Sequence, residues 1–309
     1  YYLMAAEGGT EYGHMITCAR ADSVWGPFEG NPHNPVLTNR NKAPFIIQGI
    51  GHGDLIQDKY GDWHVLSLGF RQQHIWRPYH HLGREVFLTP VQFGEDGWFT
   101  CGKDGTTDES YDIKGDFVQA PQREFTFANT DWNIEWCFLR HPHMEDYELS
   151  ADKAVLHGTS VTLDDVDSPT FVAMRQRDFH MDMKCTVKNS GGIGGLTVLL
   201  TENEHYDIFL ERTESGCNAV LMLNIGGIKH RQNAVPVKGD SAQLIIRADC
   251  FGYSFFVVHD GSEVQLGYGS TKYLSSEVAE GFTGVMTGLF AVGGTSEFTD
   301  FICAYRDAE

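Results

Sequence analysis

No stretch of about a dozen residues in this chain repeats its apolar positions with helical period. What recurs instead is a short β-branched or aromatic run, then Gly, Asp or Asn, then another such run. That punctuation commits the chain to an all-β fold. Two hairpins can be placed outright. Leu55-Ile56-Gln57 and Trp63-His64-Val65-Leu66 flank a turn at Asp58-Lys59-Tyr60-Gly61-Asp62. Phe255-Phe256-Val257-Val258 and Val264-Gln265-Leu266 flank His259-Asp260-Gly261-Ser262. Asp-Gly suits a type I′ turn, because both central residues there need positive φ.

The pattern changes near residue 100. Residues 101–123 are polar, rich in Gly and Asp, and read as a linker. Before them the chain is dense in His and Trp. After them strands lengthen and alternate more cleanly, as in Thr197–Thr201, Leu244–Arg247 and Tyr253–Val258, which predicts a sandwich. Two domains are therefore expected, 1–117 and 118–309. The chain opens on Tyr1-Tyr2-Leu3-Met4-Ala5-Ala6, an apolar strand-like run with no initiator Met and no leader. Further polypeptide is expected ahead of it.

Charge narrows the partners. Lys and Arg number 23 against 42 Asp and Glu, a net −19, so the chain would repel nucleic-acid phosphates and anionic membranes. No apolar run is long enough to span a bilayer. The seven Cys lie singly with no C-x-x-C, which predicts buried reduced thiols rather than a disulfide framework or zinc knuckle.

Three clusters could carry chemistry. Glu7 ends an apolar strand and precedes Gly8-Gly9, which would let backbone approach a ligand. A carboxyl partly desolvated there would suit a general acid, although a solvated strand-end Glu is the plainer alternative. In Gly51-His52-Gly53-Asp54, His52 could be a metal ligand, a base or a structural His. In Leu82-Gly83-Arg84-Glu85, the Arg84 fork could clamp sugar hydroxyls or simply pair with an acid. Among the Trp residues, Trp25, Trp63 and Trp98 read as core, whereas Trp76, beside Arg77 in a His-rich loop, is placed to meet a ligand. Gly191-Gly192-Ile193-Gly194-Gly195 lacks a following Lys-Ser/Thr and reads as a flexible hairpin loop, not a phosphate site. His80-His81 and His141-Pro142-His143 lack ligand partners at metal spacing and are expected to face solvent. Asp164, Asp165, Asp167 and Asp260 read as acidic turns.

Taken together, YYLMAAEGGTEYGHMITCARADSVWGPFEGNPHNPVLTNRN, GHGDLIQDKYGDWHVLSLGFR and LGREVFLTPVQFGEDGWF resemble glycoside hydrolase family 43, five-bladed β-propeller xylosidases and arabinofuranosidases. Phe125–Pro142, Ser168–Gln176 and Gly195–Val198 with Asn203–Tyr206 resemble the β-sandwich that many of these enzymes carry. The resemblance implies that residues 1–117 are the C-terminal part of a propeller. It implies Glu7 as general acid and Arg84 as a contact to the bound sugar. It further implies His14 as a His close behind the acid, His52 beside a bound calcium, and Phe282 as a loop aromatic over the pocket. The family's general base and pKa-modulating Asp precede the acid, so both are expected outside these residues. The expected activity is inverting hydrolysis of terminal β-D-xylosyl or α-L-arabinofuranosyl residues of arabinoxylan-type oligosaccharides or polysaccharides. The expected partner, besides that substrate, is an N-terminal polypeptide or a second copy completing the propeller. The alternative is a non-catalytic carbohydrate-binding protein on the same scaffold.

Overall fold

The computed structural model describes residues 1–115 and 121–307. The chain divides into two compact units, Tyr1–Ala120 and Pro121–Glu309. The boundary expected at 117/118 falls within 116–120, outside the described residues.

The first unit holds two antiparallel sheets. One contains β1 (Tyr2–Glu7), β2 (Met15–Arg20) and β3 (Glu29–Gly30), in that order. The other is an up-and-down sheet of β4 (Ile47–Gln57), β5 (Trp63–Arg71), β6 (Glu85–Phe93) and β7 (Phe99–Cys101). A four-stranded meander of this kind is the blade of a propeller. Strand alternation decides which side chains meet. On β2, Ile16 and Cys18 point into the core, where they join Val36, Leu37, Ile50, Val65, Trp98 and Phe99. Thr17 and Met15 occupy the other face and are half-buried. β1 is an edge strand, and Leu3, Ala5 and Glu7 on it are exposed. That face points away from the unit's own core, which only Met4 of β1 joins.

Both hairpins form where the turns predict them. β4 and β5 close on the Gln57–Trp63 pair, with the Asp58 amide donating to Asp62 O. In the second unit, strands Gly252–His259 and Ser262–Ser270 are joined by Asp260 at φ 48° and Gly261 at φ 77°. Positive φ at both central residues is the type I′ signature.

The polar stretch after residue 101 is less of a free linker than its composition predicts. Thr107 is buried. Its hydroxyl accepts from Thr89 at 2.7 Å and its amide donates to Asn39 at 3.0 Å. Lys42 pairs with Asp108. Bonds from β6 and from the loop between β3 and β4 thus tie this segment into the first unit.

The second unit is a sandwich of antiparallel sheets. Met181–Asn189, Ser241–Ala248 and Thr295–Tyr305 lie in the larger sheet; Ile193–Thr201, Glu204–Thr213 and Met286–Val292 lie in the other. Met181, Met183, Cys185 and Val187 face Leu196, Val198, Tyr206 and Ile208 across the core, at the two-residue period of a pleated strand. The outer face of the second sheet carries its own apolar cluster, Phe171, Ala173, Phe209, Val220 and Phe290 under Leu163. Among the described residues the only α-helix is the short Ser276–Ala279.

Several local expectations need correction. Ile193, Gly194 and Gly195 belong to a strand, not a flexible loop. A side chain at 194 would run into Ser296, and one at 195 into the Ile208 carbonyl, so these glycines serve close sheet packing. His80 and His81 are buried rather than solvent-facing. The His80 ring stacks on Phe70 at 3.9 Å, a non-local contact. His141 and His143 do face solvent. Trp98 is core, but Trp25 is 92% exposed. Five of the seven thiols are buried and none of the seven is in a disulfide.

Candidate active site

Glu7 is the last residue of β1, at the end of the sheet where the chain turns into the loop 8–14. It pairs with Met15 across the ladder, and Ala5 pairs with Thr17. Thr17 is therefore the diagonal neighbour of Glu7 on one face, within side-chain reach. Its hydroxyl donates to Glu7 Oε1 at 2.9 Å. The sequence left Glu7 either partly desolvated or solvated at a strand end. Among the described residues it is exposed, because the β1 face that carries it is open.

The loop after Glu7 is closed by backbone packing. Gly8 adopts φ 76°, and a Cβ there would sit 2.0 Å from Gly13 O. Only glycine fits both the left-handed backbone and that approach. Tyr12 and Arg84 then tie the loop to the second sheet. The Tyr12 hydroxyl donates to Pro78 O at 2.8 Å and accepts from Gln72 at 2.9 Å. Arg84, whose side chain is 10% exposed, pairs with Glu11 at 2.7 Å and donates to Thr10 O. It also lies 3.0 Å from His80 Nε2 and over the Phe70 ring. Arg84 is thus the clamp that fixes the loop following Glu7, and this geometry brings the first and third sequence clusters together.

The glycines around His52 have a packing role. A Cβ on Gly51 would overlap the His14 ring, and one on Gly53 would meet Ile16 and Val65. They let β2 press against β4. His14 is buried, with Nδ1 3.0 Å from Gly49 O. Burial pushes its pKa down, helped by the charges of Arg84 and His52, so the ring is neutral at ordinary pH. It stands behind the loop as support and is out of reach of solvent. His52 is exposed at φ 50°, within the irregularity of the β4–β5 register between Gly51 and Asp54. Calcium requires a shell of oxygens. Among the described residues no group of three His, Cys, Asp or Glu stands close enough together to hold a metal.

Trp76 lies on the loop joining β5 to β6, the same loop that carries Pro78, His80 and Arg84, and is 74% exposed. Its loop is tied to the loop after Glu7 through Pro78 and Arg84. Phe282 belongs to the second unit, between Ser276–Ala279 and Met286–Val292, and is 58% exposed.

Sequence reading missed Thr17, Glu11 and Tyr12. Thr17 carried a usable signal, since alternation puts it on the face opposite Ile16 and Cys18, but pairing it with Glu7 needs the β1–β2 register. A second buried constellation was also missed. On the sandwich, His205 sits between Asp207, 2.8 Å from Nδ1, and Asp164, 3.3 Å from Nε2. Lys229 reaches Asp164 at 2.7 Å and Asn224 donates to it at 2.7 Å. Asp164, read as a turn acid, is thus part of a charge network.

The family model for glycosyl hydrolases family 43 matches residues 1–99, and that for the β-xylosidase C-terminal concanavalin A-like domain matches residues 124–302. The chain belongs to glycoside hydrolase family 43. A non-reducing end α-L-arabinofuranosidase of Bacteroides ovatus is 35% identical over 307 residues, covering 95% of this chain and 57% of that protein. A xylosidase/arabinosidase of Butyrivibrio fibrisolvens is 23% identical, covering 99% of this chain and 61% of that one. The solved Bacteroides ovatus xyloglucan PUL family 43 structure superposes with TM-score 0.90 at 31% identity, over 100% of this chain and 64% of its own. A xylan β-1,4-xylosidase of Bacillus halodurans gives TM-score 0.87 at 24% identity, a likeness of fold, over 99% of this chain and 63% of its own. This family 43 chain therefore spans less than two thirds of the relatives it matches. Its first unit is part of a β-propeller and its second is the family's β-sandwich.

Proposed function

We propose that the protein is an inverting exo-glycosidase that removes terminal β-D-xylosyl or α-L-arabinofuranosyl residues, with Glu7 as its general acid. The observation that carries the reading is the Glu7 carboxyl itself. It is exposed at a strand end, has one oxygen held by Thr17, and stands beside a loop clamped by Arg84. Glu7 protonates the glycosidic oxygen as the C–O bond breaks. Water attacks the anomeric carbon from the opposite face and gives its proton to a second carboxylate, about 6.5–9.5 Å from the first in inverting enzymes.

That second carboxylate, and the Asp that modulates the acid, are assigned to polypeptide outside these residues. The share of the relatives' length left unmatched leaves room for it. The open face of β1 is where such elements would meet Glu7. Arg84 and His14 hold the acid loop, and Trp76 offers an apolar face for sugar stacking.

The test is hydrolysis of an aryl β-D-xyloside and an aryl α-L-arabinofuranoside. The 309-residue chain alone and the same chain within its full-length gene product are assayed side by side. Turnover by the full-length product alone supports the reading. Turnover by the chain alone would place the base within these residues. Sugar binding without turnover by either would favour a non-catalytic carbohydrate-binding protein.

A further inference from the structure

We propose that Thr17 decides which oxygen of Glu7 carries the transferable proton, and so acts as the positioning residue for the acid step; the inference rests on the reading of Glu7 as the acid. A protonated carboxyl has two unlike oxygens, one bearing hydrogen and one able only to accept. The Thr17 hydroxyl donates to Oε1 at 2.9 Å. While the hydroxyl donates, Oε1 is the carbonyl oxygen of the acid, which leaves the proton to Oε2. Among the described residues, Oε2 meets no hydrogen-bond or ion-pair partner that would hold that proton back.

The hydroxyl is well fixed. Thr17 lies in the middle of β2, paired on one side with Ala5 of β1, and its neighbours Ile16 and Cys18 are locked in the core. A β-branched side chain on a strand has little χ1 freedom. The residue directly opposite Glu7 is Met15, which offers no donor, and its sulfur already accepts from Arg40 at 3.2 Å. Thr17 is thus the only side chain on the facing strand that can orient the carboxyl.

The same hydrogen bond changes strength during the reaction. As the proton leaves Oε2 for the glycosidic oxygen, Glu7 becomes a carboxylate. A hydroxyl donating to a carboxylate makes a shorter and stronger bond than one donating to a neutral acid. Stabilisation that grows along the reaction coordinate lowers the barrier, whereas uniform binding would not.

The experiment compares two glycosides of the preferred sugar in the full-length protein. One has an alcohol leaving group that must be protonated; the other has a dinitrophenolate, which leaves unaided. Thr17→Val keeps shape and strand propensity while removing the donor. Its kcat on the alkyl glycoside should fall about 10–30-fold, a fraction of the general-acid effect. KM and the dinitrophenyl rate should stay within about twofold, and Thr17→Ser should restore the alkyl rate to within about threefold. An equal fall on both substrates, or none on either, would overturn the proposal. Should Thr17→Val melt far below wild type, Thr17→Ala supplies the same comparison. Glu7→Gln is run in parallel. If it too lacks a leaving-group-dependent loss, the assignment of Glu7 has failed; if it shows that loss and Thr17→Val does not, only the role of Thr17 has failed.

Discussion

Arg84, on the loop just before β6, closes on Glu11 of the β1–β2 loop at 2.7 Å, four residues beyond the carboxylate assigned as acid. The pair is asymmetric. The Arg84 side chain is 10% exposed and that of Glu11 is 48% exposed. Losing the fork therefore costs more than losing the acid, because Arg84 also serves Thr10 O and His80. Arg84→Met should lower stability by about 1–2 kcal/mol, after allowing for the solvent around Glu11. It should also lower kcat/KM at least tenfold by loosening the acid loop, whereas Glu11→Gln should cost less on both counts. Thermal melting and steady-state kinetics on the three proteins check the order.

Gly8→Ala tests the loop from the backbone side. The new Cβ would lie 2.0 Å from Gly13 O on a residue at φ 76°. The loop must shift, and a displacement near 1 Å at the reacting groups can cost about 10²-fold in rate. The expected result is a large fall in kcat with the melting of the sandwich unit unchanged. A variant with wild-type kcat would show that the loop geometry does not govern Glu7.

The His205 network predicts a pH dependence of stability in the second unit. Burial opposes charge on His205, but Asp207 and Asp164 outweigh it and raise the pKa to about 10, from an ordinary 6.5. A raised folded pKa means stabilisation that is fully present below pH 6.5 and is lost as pH rises through about 10. Burial also opposes ionisation of Asp164, yet His205 and Lys229 hold its carboxyl well below the ordinary 3.8. That contribution is present above pH 3.8 and fades as pH falls. The melting temperature of the sandwich should therefore decline from pH 6.5 toward 10. His205→Gln should flatten that decline and lower the melting temperature by roughly 10 °C at pH 6, since it leaves the buried Asp207 without its cation. Calorimetry across pH on both proteins measures it.

Trp76→Ala should leave the fold intact, because the indole is 74% exposed. On oligosaccharides it should raise KM about 3–10-fold with little change in kcat, the mark of binding that is equal in ground and transition states. An unchanged KM would remove Trp76 from the substrate surface.

What the sequence made legible is local. Asp260-Gly261 demands positive φ twice and forms the expected turn, and Glu7 ends its strand where the apolar run stops. What it hid depends on register and on distant partners. Glu7 and Thr17 are ten residues apart and meet only because β1 and β2 pair as they do. His80 looked like a solvent histidine until Phe70 provided a ring to stack on. Asp164 and His205 lie 41 residues apart and join only through the folded sandwich sheet. The glycines around His52 left its role open; in the fold they clear space for His14 and Ile16.

The central claim is that Glu7 delivers the proton. The most direct measurement compares wild type with Glu7→Gln in the full-length protein, on two glycosides that differ only in leaving-group acidity. The account predicts a loss of about 10²–10⁴-fold where the leaving group needs protonation and only a small loss where it does not. Equal rates for Glu7→Gln and wild type on the poor leaving group would contradict it.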